Sequence, residues 1–142
     1  MQRISEYGHD IISTHNYQRQ KHFLQHGRVS VYEHELNVTN MCLKIADYLP
    51  VRVNERALVR GALLHDYFLY DWHEPGHGLH GFKHPHIALE NASEDYYLTD
   101  IEKDMIRKHM FPLTLKLPRY RESYILVVAD KIVAISETLH RK

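Results

Sequence analysis

Residues 54–66 read NERALVRGALLHD, and this stretch decides the fold. Asn54 has the short polar side chain that caps helix N-termini. The apolar residues behind it recur at helical rather than strand spacing. His65 stands seven after Leu58 and three after Ala62, and Asp66 stands four after Ala62. The phasing therefore turns an imidazole and a carboxylate onto the face that the leucines bury. A carboxylate in such a place is costly unless it is paired, hydrogen-bonded or bound to a cation.

The same helical period extends in both directions. Upstream, one helix is expected over about 3–24, ending near Gly27. Ser30 reads as the N-cap of a second helix that runs to about Tyr48, before Pro50. Its apolar stripe is Val31, Val38, Met41 and Ile45, and His34 fills the gap in that stripe. Downstream of the doublet, DWHEPGHGLHGFK (71–83) is a long loop with three glycines and one proline. Loops of that length inside a domain are often functional. Pro85 reads as the first position of the next helix, which puts His84 at its boundary. Thr99 and Glu102 form a capping box. Behind it, Ile101, Met105 and His109 follow at intervals of four. Pro112 and Pro118 bound a loop, and a last helix is expected over about 121–140. Its segment ILVVADKIVAI is apolar nearly all round, which predicts a central helix. No stretch reads as a strand. The expected fold is all-α: one compact domain over 1–142, a bundle of about five to seven helices.

Gross composition narrows the function classes. Eighteen basic residues balance eighteen acidic ones, so no global field favours nucleic acid or a membrane surface. Cys42 is the single cysteine, which excludes an internal disulfide and a thiolate-rich zinc site. No run approaches the roughly 20 apolar residues of a membrane span, and MQRISEYGHD lacks an apolar signal region. A cytoplasmic location is expected.

Thirteen histidines are many for this length, so position must sort them. Helical phasing sends His34, His65 and His109 inward, and Asp130 lies in the apolar last helix. Taken singly, Asp130 could be half of a buried ion pair and His34 a hydrogen-bonded core histidine. Taken together, several buried polar groups would strongly destabilise the core, and a shared cation resolves them at once. Neutral imidazoles and carboxylates suit Mn, Fe, Co, Ni or Zn.

The order H…HD…H…H…D, here His34, His65-Asp66, His84, His109 and Asp130, resembles the HD-domain superfamily of metal-dependent phosphohydrolases. The contexts VYEH, ALLHD, KHPHIALENA, IRKHM and VVADK carry the resemblance, which covers about 28–137. It implies a first metal held by His34, His65, Asp66 and Asp130. It implies a second held by His84 and His109, with Asp66 bridging. His84 is preferred to His86 as the residue directly before Pro85. Many relatives use a single ion, so one or two divalent transition metals are expected. The catalytic role falls to Asp66 and His65. Relatives often continue the doublet as HDIGK, whereas this chain reads HDYFLYD, so any role of that lysine does not carry over.

The implied reaction is attack of a metal-activated water on the phosphorus of a small phosphorylated substrate, a nucleotide being the leading choice. Arg28, Lys83, Lys108 and Lys131 lie near motif residues and are candidates to hold phosphate, although each also fits a solvated surface charge. Lys131, in apolar surroundings, calls for a partner such as Glu137. His73, beside Trp72 in the long loop, is a further substrate-binding candidate, with the loop as a lid. His9, His15, His22, His26 and His140 read as surface residues. Other readings are an HD-type di-iron oxygenase and a non-catalytic metal- or ligand-binding module. No nucleic-acid polymer or membrane partner is expected, and a homo-oligomer is compatible with the sequence.

Overall fold

The computed structural model describes residues 2–26, 29–67, 80–112 and 115–139, with backbone alone at 24–26 and 80–84. The described residues form seven α-helices: α1 (Gln2–Ile12), α2 (His15–Arg19), α3 (Val31–Tyr48), α4 (Glu55–Leu64), α5 (His80–Asp95), α6 (Asp100–Lys108) and α7 (Arg121–Leu139). No helix among them is long and apolar enough to cross a membrane.

Three helix starts follow from their caps. Ser30 accepts the Glu33 N–H at 3.1 Å, and Asn54 accepts the Ala57 N–H at 3.0 Å. Thr99 and Glu102 exchange both bonds of a capping box, at 3.3 and 3.1 Å. Asn54 does a second job. Its own N–H donates to Glu122 Oε2 at 2.7 Å, which ties the start of α4 to α7.

The N-terminal segment departs from the expected single helix over 3–24. It divides into α1, α2, a 3₁₀ turn (Gln20–His22) and a strand, β1 (Leu24–His26), paired antiparallel with β2 (Val29–Ser30). Thr14 makes the break: its hydroxyl donates to Ile11 O at 2.7 Å and accepts the Tyr17 N–H. The reason is burial. Ile11 and Tyr17 are both fully buried, yet six residues apart on one straight helix they would point about 120° apart. The short β1–β2 pair also corrects the expectation of no strand.

Pro85 lies inside α5 rather than at its first position. The ring's fixed φ is helical, but the missing N–H removes one hydrogen bond and the ring crowds the carbonyl four residues back.

The central helix is α4, not α7. Every residue from Ala57 to Leu64 is buried, and α4 packs against α1, α3, α6 and α7. The α4–α6 approach depends on Gly61, where an added Cβ would lie 2.4 Å from Met105 Sδ. By contrast, α7 packs on α3, α6 and α4 through one side and leaves Val128, Ile132 and Ile135 exposed on the other.

Candidate metal centre

Two of the histidines are placed by the way helices end. The last carbonyls of a helix lack intrahelical partners. His65 is the C-cap of α4, and its Nδ1–H donates to Ala62 O at 2.6 Å. His109 is the C-cap of α6, and its Nδ1–H donates to Ile106 O at 2.8 Å. Each imidazole thus satisfies a carbonyl three residues back, and each carries its proton on Nδ1. Gly61 and Met105 lie one turn before the two histidines, so the close contact there brings the rings to 4.9 Å, edge to face. His34 projects from α3 and is anchored differently. Its Nδ1 donates to Glu137 Oε1 at 2.8 Å, and Glu137 Oε2 is held by Asn37 Nδ2 at 3.0 Å.

With all three Nδ1 atoms tied back, the three Nε2 atoms turn to the same place. His34 Nε2 lies 2.9 Å from Asp130 Oδ1 and 3.2 Å from Asp66 Oδ2. His65 Nε2 lies 3.3 Å from Asp130 Oδ1 and 3.2 Å from Asp66 Oδ2. His109 Nε2 approaches the other Asp66 oxygen, Oδ1, at 3.4 Å. Asp66 is positioned in turn by its backbone N–H, which donates to Glu35 Oε2 at 3.3 Å.

Burial by itself would discharge these groups, yet their mutual attraction wins. Burial disfavours imidazolium at His34 and His65, but hydrogen bonds and charge from Asp130 and Asp66 raise both well above 6.5. Burial opposes ionisation of Asp130, but the two imidazoles hold its carboxyl far below the usual 3.8. Glu35, fully buried beside the doublet, is pushed well above the usual carboxylate range by burial first.

One donor atom each from His34, His65, Asp66 and Asp130 falls within 4.8 Å of the others. That spread is close to the ~4 Å diameter of one transition ion's ligand shell. The donor set fits such an ion: two neutral nitrogens and two carboxylates, with the nitrogens pre-oriented from behind. The two oxygens of Asp66 face different imidazoles, the disposition a bridging carboxylate would need if a second ion sat near His109.

The other sequence candidates divide. The side chains of His84 and Lys83, and all of Arg28 and His73, lie outside the described residues. His86 is solvent-exposed and paired with Glu90 at 3.0 Å, away from the cluster. Lys108 is held by Asp104 and Leu117 O, each at 3.0 Å. Lys131 does not pair with Glu137; its Nζ donates to Phe111 O at 2.7 Å. His9, His15 and His22 are exposed, in line with the surface reading. Glu137, Asn37 and Glu35 were missed as parts of the site. Spacing carried a signal for two of them: Glu137 stands seven after Asp130, two turns along one face, and Asn37 three after His34.

Neither a curated protein nor a solved structure matches the chain. A family model, described as HD domain, matches residues 31–135. That span runs from the start of α3 nearly to the end of α7 and contains His34, His65, Asp66, His109 and Asp130, while Glu137 lies just beyond it. The chain belongs to the HD-domain family.

Proposed function

We propose that this protein is a metal-dependent phosphohydrolase acting on a nucleotide or another small phosphoester. One observation carries the reading: three imidazoles, each fixed at Nδ1, converge at Nε2, those of His34 and His65 on Asp66 and Asp130 together and that of His109 on Asp66. A buried cluster of that kind is arranged for a cation rather than for packing. His34, His65, Asp66 and Asp130 would hold the first ion. His109 would serve a second, with His84 as its expected partner and Asp66 between the two.

A bound divalent ion supplies an acidified water and neutral balance for phosphoryl oxygens. The chain supplies the rest. Asp130 stays anionic at neutral pH because two imidazoles face it. Glu137 and the Ala62 carbonyl keep His34 and His65 in the tautomer whose Nε2 points at the site. Asp66 presents one oxygen to each side, and Glu35 fixes its backbone.

Elemental analysis of the purified protein, then a nucleotide and phosphoester screen with Mn, Co, Ni and Fe, tests the proposal. The expected result is bound transition metal and release of phosphate or a phosphomonoester. Asp66→Ala should lower that rate by at least about 1,000-fold, the several kcal/mol of charge stabilisation that depend on the ion, while circular dichroism stays native. An iron-loaded protein that consumes oxygen and leaves every phosphoester intact would instead assign the oxygenase reading.

A further inference from the structure

α7 has two faces with opposite duties. One face carries Asp130 and Glu137 into the candidate centre. The other bears Tyr124, Val128, Ile132, Ile135 and Leu139, which are 45, 49, 43, 62 and 68 % exposed. The last four follow at intervals of four, three and four, the spacing of a coiled-coil seam. Together the five expose an apolar strip of a few hundred Å², the size at which a patch on a monomer calls for a partner. Lys131 borders the strip, but its ammonium is drawn aside to Phe111 O, which keeps the seam free of charge. On the other side the strip is bordered by Ser136, which is exposed and small enough for a second helix to come close.

We propose that this face pairs with α7 of a second copy of the chain, antiparallel, about a twofold axis between Val133 and Ala134. The spacing is symmetric about that point. Val128 then packs on the partner's Leu139, and Ile132 on the partner's Ile135. Each layer receives a similar side-chain volume. A parallel pair would instead stack valine on valine and leucine on leucine, leaving layers of unequal size. The antiparallel arrangement also opposes the two helix dipoles. The contact is isologous, so one strip serves both copies. These five side chains supply a few hundred Å² per copy, the larger part of the roughly 800 Å² per partner of a standard stable interface.

Sedimentation of the full chain at about 100 μM, well above a micromolar dissociation constant, should give twice the 16.9 kDa monomer mass. Ile135→Glu should raise the dissociation constant at least about 30-fold, as loss of a central interface anchor does, with helix content unchanged. Cysteine cross-linking gives a second reading that does not require disruption. Val128→Cys alone should form no disulfide between copies, because antiparallel pairing leaves the two sites about 16 Å apart along the seam. Val128→Cys with Leu139→Cys should cross-link readily; the native Cys42 is buried and silent. A monomer at that concentration, a dimer indifferent to Ile135→Glu, or cross-linking of Val128→Cys alone would each overturn the proposal.

Discussion

α6 carries two buried polar clusters, and they are built on opposite plans. In the first, Asp104 accepts from Ser123 Oγ at 2.6 Å, the Arg119 N–H at 2.9 Å and Lys108 Nζ at 3.0 Å. Burial opposes its charge, but these donors hold its carboxyl below the usual range. The donors there are a hydroxyl, a backbone amide and a lysine side chain, none of them an imidazole. Five residues on, His109 reaches Asp66, and the groups facing Asp66 and Asp130 are imidazole Nε2 atoms, which carry a proton only in the imidazolium form. An imidazole can give up that proton and offer a lone pair in its place. A carboxylate served by permanent donors is structural. One served by exchangeable donors is open to a cation.

If that contrast is right, the two clusters should answer differently to substitution. The larger effect is expected behind the candidate centre. Glu137→Gln removes the charge that fixes His34 and should weaken metal binding by on the order of 10–100-fold, as loss of an outer partner typically does. Titration calorimetry with Mn or Co measures it; unchanged affinity would mean that Glu137 only fills space. Asp104→Asn should do the reverse. Placing an amide among donors leaves buried groups mismatched and should cost about 1–3 kcal/mol of stability, with metal stoichiometry intact. Metal loss in that variant would blur the distinction.

The smallest effect concerns pH in the metal-free protein. His34 and His65 have folded values raised above 6.5, so their contribution is complete below that pH. It is lost as pH climbs through the raised values. Asp130 is lowered from 3.8, so its contribution is present above that value and lost as pH falls through the lowered one. Thermal melts of the metal-free chain should therefore decline as pH is raised beyond 6.5. Added metal should recover more stability at pH 8 than at pH 6, because binding displaces the protons. Melts of the metal-free chain that do not change between those two values would argue that the cluster is not coupled to folding.

Much of this design was legible in the chain. Ser30, Asn54 and the Thr99–Glu102 pair announced their helices because caps are local, and local chemistry needs no knowledge of the neighbours. The inward turn of His34, His65 and His109 followed from helical phase, and all three are buried. What failed was non-local. The break at Thr14 serves two buried side chains whose common core is assembled by other helices. Glu137 looked like a partner for Lys131 because they lie on one helix; its hydrogen bond instead goes to α3, 103 residues back in sequence. The apolar composition of α7 was visible, but whether such a helix lies at the centre or the flank depends on how many others surround it. α4, interrupted by Arg60, took the centre because Arg60 reaches out to Asp10 at 2.7 Å.

The glycine at position 61 reaches beyond packing. Where α4 and α6 touch there, they behave like two blades on a pin, with an imidazole at each tip one turn further on. A single methyl group added at the pin would meet Met105 Sδ at 2.4 Å, so either that side chain or the spacing of the blades, and with it the nitrogens beyond, must give way. The gauge of the centre is thus written in a residue that has no side chain and touches none of its ligands.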